Sequence, residues 1–398
     1  NLGKLNPAPF AVKERAALIK PANYDQHLEE LRHCDVLIEA IAERPDWKAD
    51  LYQRITPYLN ERAILATNTS GLRINMLAES VPDHLRSRFC GIHFFNPPRY
   101  MALVELIPCQ QTDPAILDQL ETFLVSTLGK SVVRAKDTPN FIANRIGVFS
   151  MAATIHHTAA FGLSLDLVDA LTGPAIGRPK SATYRTADVV GLDTMGHVFK
   201  GSALALQHDP WRAYFTPPVW LTTLIEKGAL GQKTGAGIYA AKGKQVLNPE
   251  TGEYQNAGAK PSEAVQAILK IRNPAEKFAA LRASDDPQAQ FLWAIHRDAF
   301  HYSAVLLAEI ADTARDIDLA IRGGFGWSMG PFEIWQAAGW KQVADWINED
   351  IAAGKAMTTT ALPAWVADVQ AVHTAKGSYS AAEYAYKPRS TLPVYQRQ

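Results

Sequence analysis

His93 and Glu105 stand twelve positions apart in GIHFFNPPRYMALVE, residues 91–105, with Pro97 and Pro98 between them. A carboxylate hydrogen-bonded to one imidazole nitrogen fixes the tautomer and raises the basicity of the other nitrogen, which makes a general base near neutral pH. Both residues fall in apolar runs, RFCGIHFF (88–95) and LVELIP (103–108), that read as strands, and the NPPRY corner allows one to fold back beside the other. A histidine buried in a sheet for purely structural reasons accounts for the same spacing. Ser70 ends ATNTS, just past the strand-like AILAT (63–67), at the edge where α/β sheets take ligands; its competing role is N-cap of a helix around Ile74. Asn144 lies inside an apolar helical stretch, where its amide needs a partner, structural or functional. LGQKTGAGIY, 230–239, departs from the GxxxxGK[ST] spacing of a phosphate loop and reads as a basic turn.

These residues need a scaffold, and the N-terminal third supplies an α/β one. DVLIEAI (35–41) has the β-branched character of a strand buried on both faces, and Trp47, Leu51, Ile55 and Leu59 recur at helical spacing. After the two strands around NPPRY, Pro114 to Leu128 reads as a helix capped by Thr112 or Asp113, and SVVRA (131–135) as a further strand. The alternation predicts a largely parallel sheet with ligands at its carboxyl edge. From Asp137 the composition turns helical: Thr138 is placed to cap a long helix with Pro139 at its first position and Gly162 at its end. DLVDALTGPAIGRP (166–179) and DIDLAIRGGFGWSMGPFE (316–333) each put an acidic, periodically apolar helix before a glycine turn, 150 residues apart, the mark of a duplicated unit or of two unrelated helices ending at glycine. Between them, 242–264 is rich in turn residues and reads as a linker with a hairpin.

Composition narrows the chemistry. Forty basic and forty acidic residues cancel in this chain of 398, so nothing favours a nucleic acid or an anionic membrane surface, and a small molecule is the expected partner. Cys34, Cys90 and Cys109 have neither a disulfide framework nor zinc spacing; no metal is expected, and a reducing cytoplasm suits them. No apolar stretch reaches the eighteen or so residues of a membrane span.

Taken together, NTSGL, GIHFFNPPRYMALVE, KDTPNFIANR and LGQKTGAGIY resemble, in order and spacing, the 3-hydroxyacyl-CoA dehydrogenase family of fatty-acid β-oxidation, across about residues 30–240. GGFGWSMGPFE is similar, more weakly, to the duplicated C-terminal domain of the multifunctional members. The first copy departs from the family's PMGPFE and reads RPKSATYRTADVVGLD. The resemblance implies an α/β Rossmann-like domain followed by two mainly helical domains, with bounds 1–136, 137–240 and 285–398 and a linker at 241–284. It implies NAD-dependent oxidation of an L-3-hydroxyacyl-CoA, with His93 as base, Glu105 orienting it, and Ser70 and Asn144 holding the substrate's 3-oxygen. Glu43, Lys48, Ser70, Asn96 and Lys233 match positions that contact the dinucleotide or line its site. Expected partners are an acyl-CoA, an attached enoyl-CoA hydratase domain, and a second copy of the chain or a thiolase.

Between Gly3 and Gly71 there is no glycine, so the expected GxGxxG turn is absent from that stretch and the first βαβ portion of the sheet is expected to be missing. Two other readings share these residues. A dehydrogenase of a free hydroxy acid or polyol keeps the sheet and the His/Glu pair, and a non-catalytic helical assembly module needs neither.

Overall fold

The computed structural model describes residues 4–5 and 8–396; the outermost ends of the expected first and last domains, Asn1 to Gly3 and Arg397 to Gln398, lie outside the described residues, as do Asn6 and Pro7. The chain forms two compact units, one of residues 1–142, 310–312 and 389–398, the other of 143–309 and 313–388.

The first unit is built on one sheet in the order β1 (Val36–Glu39), β2 (Ile64–Thr67), β3 (Phe89–Phe94), β4 (Leu103–Pro108), β5 (Ser131–Arg134). Three of the four pairings are parallel, and β3 with β4 is antiparallel. Alternate residues divide the two faces. Ile64, Ala66, Cys90, Ile92, Val104 and Leu106 point to one, where Leu117, Leu120 and Leu124 of a helix at Pro114–Ser126 cover them. That helix is capped as expected by Asp113, whose Oδ1 accepts from Ala115 N at 2.9 Å. Gly91, His93, Glu105 and Ile107 point to the other face. Gly91 makes room there: a Cβ would stand 2.9 Å from Ile74 Cδ1 and 3.1 Å from Ile107 Cδ1, crowding the side chains by which the short helix Ile74–Ala78 packs on this face.

Four local expectations change. β1 is not buried on both faces, since among the described residues it pairs only with β2, and Ile38 is 46% exposed. The helix Pro45–Ile55 turns Lys48, Leu51, Tyr52 and Ile55 inward rather than the stripe through Trp47 and Leu59. Trp47 is half exposed under the Arg44 guanidinium, because a buried ion pair of Lys48 sets the helix's rotation. Ser70 does not cap the helix at Ile74. Asp137 does, accepting from Ile74 N at 2.6 Å and Asn75 N at 2.9 Å. The long helix begins at Ala143, not after Thr138, because Asn140 (φ 65°) and Phe141 (φ 52°) take left-handed conformations that no helix continues through.

In the second unit one order of elements occurs twice. The long helix Ala143–Ala160, ended by Gly162 in the expected left-handed conformation, is followed by Leu165–Leu171, a glycine turn, Tyr184–Val190, and later a small sheet of Tyr239–Ala240, Gln245–Leu247 and Tyr254–Asn256. The long helix Pro287–Ile310 is followed by Ala314–Phe325, a glycine turn, Pro331–Ala352, and a small sheet of His373–Thr374, Gly377–Ser380 and Ala385–Lys387. The same carboxylate organises each. Asp169 accepts from Thr183 N, Tyr184 N and Arg185 N at the start of Tyr184–Val190 and from Tyr239 Oη at 2.7 Å. Asp318 accepts from Phe332 N at 2.9 Å and pairs with His373 Nε2 at 2.7 Å. The 242–264 stretch does hold a hairpin, and the helices Glu263–Leu269 and Pro274–Ala283 follow it.

Candidate active site

The antiparallel register of β3 and β4 sets His93 directly opposite Glu105. His93 Nδ1 lies 2.8 Å from Glu105 Oε2, with His93 3% exposed and Glu105 fully buried. Oε1 of the same carboxylate accepts from Ile142 N at 3.1 Å, so the carboxylate holds the ring and anchors the segment that leads into Ala143–Ala160. A buried carboxylate with two donors is oriented as well as satisfied. It assigns the proton of the imidazole to Nδ1 and leaves the lone pair on Nε2. Phe95 and Phe141 flank the ring at 4.4 and 5.7 Å between centroids, which restricts its rotation and thins the water around it.

Ser70 sits where β2 leaves the sheet. Its loop is held from two sides. Glu43 Oε1 accepts from Thr69 Oγ1 at 2.5 Å, Ser70 N at 2.9 Å and Gly71 N at 3.2 Å. Asp137 caps the helix that follows, as above. Asn68 joins this loop to the histidine's strand, since its Oδ1 accepts from Phe94 N at 2.9 Å. Beneath Glu43, Lys48 is 1% exposed and its Nζ bonds both oxygens of Glu39, at 2.7 and 2.9 Å, with Glu43 Oε2 at 3.6 Å. Glu39 also takes Thr67 Oγ1 at 2.7 Å and Tyr52 Oη at 3.1 Å. The Lys48 ammonium is therefore engaged inside the protein, and Glu43 is the member of this group that reaches the surface.

The structure thus gathers His93 with Glu105, and Ser70 with Glu43 and Lys48, all within the first unit. Asn96 is exposed at the end of β3, before a cis bond to Pro97. Asn144 and Lys233 belong to the second unit. Asn144 is the second residue of its helix rather than a mid-helix residue. Lys233 Nζ bonds Asp193 at 2.6 and 2.7 Å in a 3₁₀ turn. That turn owes its glycines to packing. A Cβ on Gly231 would stand 2.3 Å from Asp188 O and one on Gly237 2.3 Å from Asp188 Oδ1, and the Asp188 carboxylate accepts from Ile238 N and Tyr239 N. Sequence reasoning missed Asn68, Asp137 and Glu39, whose bonds to Phe94, Ile74 and Lys48 cross 26, 63 and 9 positions and leave no local pattern. Among the described residues no group of three or more His, Cys, Asp or Glu side chains is placed to hold a metal, and no helix is long and apolar enough to cross a membrane.

Comparison with known proteins adds a frame to this geometry. Residues 4–138 match the NAD binding domain of 3-hydroxyacyl-CoA dehydrogenase, and residues 141–241 match its C-terminal domain. A probable 3-hydroxyacyl-CoA dehydrogenase of Bacillus subtilis is 40% identical over 348 residues, 87% of this chain and 44% of that protein. One of Deinococcus radiodurans is 40% identical over 246 residues, 62% of this chain and 70% of that protein. A crystal structure of 3-hydroxybutyryl-CoA dehydrogenase from Escherichia coli K12 has the same fold, with a TM-score of 0.64 at 21% identity, covering 82% of this chain and 79% of that one. The chain spans about half the length of the longer relatives it matches.

Proposed function

From the premise that the chain belongs to the 3-hydroxyacyl-CoA dehydrogenase family, we propose that it carries the catalytic pair for oxidation of an L-3-hydroxyacyl-CoA to the 3-oxoacyl-CoA in fatty-acid β-oxidation. The observation that supports this best is the 2.8 Å contact of His93 Nδ1 with a carboxylate that is itself anchored by Ile142 N.

His93 Nε2 takes the proton of the 3-hydroxyl. Glu105 then faces an imidazolium and stabilises it across the Nδ1 hydrogen bond, which is charge-assisted in that state and so strongest when the base has done its work. General-base action of this kind contributes about 10²- to 10⁴-fold. Glu43 accepts from Ser70 N and Asp137 caps the helix that follows, which fixes the loop that presents the Ser70 hydroxyl to the substrate oxygen, and the family resemblance gives Asn144 the same role. NAD, the cofactor of this family's N-terminal domain, supplies the hydride acceptor when bound. Glu43 and Ser70, at the carboxyl edge of the sheet, suit the polar groups of one end of a dinucleotide. The glycine-free stretch 4–70 has no turn of the sort that lets backbone approach a pyrophosphate, so these residues fit that end alone. Asn96 and Lys233 are proposed as contacts beside Glu43, with Lys48 lining the site from beneath through its buried pair with Glu39.

The test is oxidation of L-3-hydroxybutyryl-CoA by the full-length protein with NAD, beside free 3-hydroxybutyrate. Turnover of the thioester alone, lost in His93→Gln, is the expected result. Preference for the free acid would transfer the site to hydroxy-acid chemistry, and no turnover of either would leave an assembly role.

A further inference from the structure

Arg178 is the one guanidinium of the second unit whose burial no partner explains. It is 8% exposed, its Nη2 is buried with no hydrogen-bond partner, and it forms no ion pair among the described residues. Compare Arg145, held by Asp209 and Tyr302, and Arg297, held by Asp298 and Asp350. Arg178 instead stacks on Trp327, with Cζ 4.0 Å from the ring centroid. The stack is built in. Gly177 (φ 75°) brings the first glycine turn against the second, where a Cβ would lie 2.1 Å from Ser328 Oγ, and Gly177 O accepts from Ser328 N at 2.8 Å. No acidic group offsets the burial, which lowers the Arg178 pKa to about 9 and still leaves it cationic at neutral pH.

Stacking uses the face of a guanidinium and leaves its in-plane donors for a ligand. An unpaired buried charge is otherwise costly enough that a folded protein rarely keeps one. The surroundings supply no opposing charge. His296 is buried beside it, and burial together with the charges of Arg178 and Lys277 holds that histidine neutral, with its pKa down at about 4. We propose that Arg178, seated on Trp327 between the two glycine turns, binds a phosphate group. A phosphate carries about two negative charges, enough to answer both Arg178 and a neighbourhood without acids, and its oxygens match the guanidinium fork. The group belongs either to free inorganic phosphate or to a phosphorylated coenzyme, and the site is independent of the dehydrogenase reading.

Calorimetric titrations of the full-length protein with inorganic phosphate, with coenzyme A and with acetate decide this. Saturable binding of one phosphate-bearing ligand is expected, at least tenfold weaker in Arg178→Lys, which keeps the charge without the fork, and abolished in Arg178→Gln. Coenzyme A also meets the acyl-CoA site, so only the binding that Arg178→Gln removes is read: where that part is tighter than for inorganic phosphate the group belongs to a coenzyme, and where it is no tighter it belongs to the free ion. Arg178→Met, which removes an unpaired charge, should melt no lower than the parent in phosphate-free buffer and should lose the parent's rise in melting temperature with phosphate. No saturable binding by the parent, equal binding by Arg178→Lys, or acetate binding as tightly as phosphate would each overturn the assignment.

Discussion

Replacing Glu105 by glutamine should damage catalysis more than loss of a negative charge alone would. The carboxylate serves two partners at once, His93 Nδ1 at 2.8 Å and Ile142 N at 3.1 Å, in a site from which water is excluded. An amide has one accepting atom. If its oxygen keeps Ile142 N, its NH₂ faces Nδ1, which must then accept; the imidazole proton moves to Nε2, and the base is lost. If the amide turns over, its NH₂ opposes Ile142 N–H, and two buried donors are left facing each other at about 1–3 kcal/mol. The catalytically useful tautomer thus becomes the minor one. Loss of the charge-assisted bond to the imidazolium adds about 1.5–3 kcal/mol. Together these give about 2.5–6 kcal/mol, or a fall in kcat/KM of roughly 10²- to 10⁴-fold at 1.36 kcal/mol per decade. Glu105→Ala imposes no tautomer, so it should keep more activity than Glu105→Gln while losing more stability. The assay is the pH profile of kcat/KM for L-3-hydroxybutyryl-CoA and NAD with the full-length protein, beside thermal melting of each variant. A loss below tenfold in a normally folded Glu105→Gln protein with an unshifted profile would refute the reasoning.

His93→Gln removes the base itself and should lower kcat by about 10²-fold or more with NADH affinity nearly unchanged, measured by stopped-flow turnover and fluorescence titration. Asp137→Ala uncaps Ile74–Ala78 and should cost about 0.5–2 kcal/mol in denaturant unfolding, together with a rise in KM as the Ser70 loop loosens. Gly147→Ala should lower the melting temperature, although alanine favours a helix, because its Cβ would fall 2.0 Å from Phe325 Cζ; Gly147→Ala with Phe325→Leu should recover most of the loss, and an unchanged single variant would disprove the contact. Acid should draw on the stability of the second unit at His296, against the gain at Asp169 and Asp318. Its folded pKa, about 4, lies below the unfolded value near 6.5, so the unfolded state binds the extra proton first and stability falls as pH drops from about 6.5 to 4. That contribution approaches ~3 kcal/mol for a buried group, and His296→Gln should raise stability at pH 4 relative to pH 6.5, compared with the parent, by a like amount.

What the sequence made legible follows the range of the interactions. β3, β4 and the Asp113 cap were readable because alternation, NPPRY and Thr-Asp-Pro act within a few residues. The His93–Glu105 pairing followed, since one corner joins the two strands. Lys48 reads, by resemblance, as a residue of the dinucleotide site, and its buried pairing stays hidden because nothing nearby announces Glu39, nine positions back on another element. The helix cap at Ile74 went to Ser70 for the same reason, its true acceptor Asp137 being 63 positions on. The start of the long helix was misplaced because Thr138 and Pro139 are good starting residues locally, and only the packed Phe141, buried against His93 in a left-handed conformation, overrides them.

The repeated carboxylate of the second unit shows why residue type alone does not assign chemistry. Asp318 Oδ2 lies 2.7 Å from His373 Nε2, and Ser378 Oγ lies 3.1 Å from His373 Nδ1, which is the membership of a hydrolytic triad. Yet Ser378 Oγ accepts from Arg315 N at 2.9 Å in the first turn of Ala314–Phe325, so the hydroxyl is committed to a helix end. Asp169, the counterpart of Asp318, also accepts from backbone at a helix start, from three N–H groups where Asp318 takes one, with Tyr239 in the place of His373. Burial raises both carboxyls to about 6, above their ordinary range, so each is better accommodated as pH falls from 6 toward 4. A structural cap present in both halves, with only one half resembling a triad, is explained by helix-end hydrogen bonds that the repeat preserves. His93 differs because its partner carboxylate leaves Nε2 uncommitted by that pair and its strand opens at the sheet edge beside the Ser70 loop, and it is this placement that supports a reactive role.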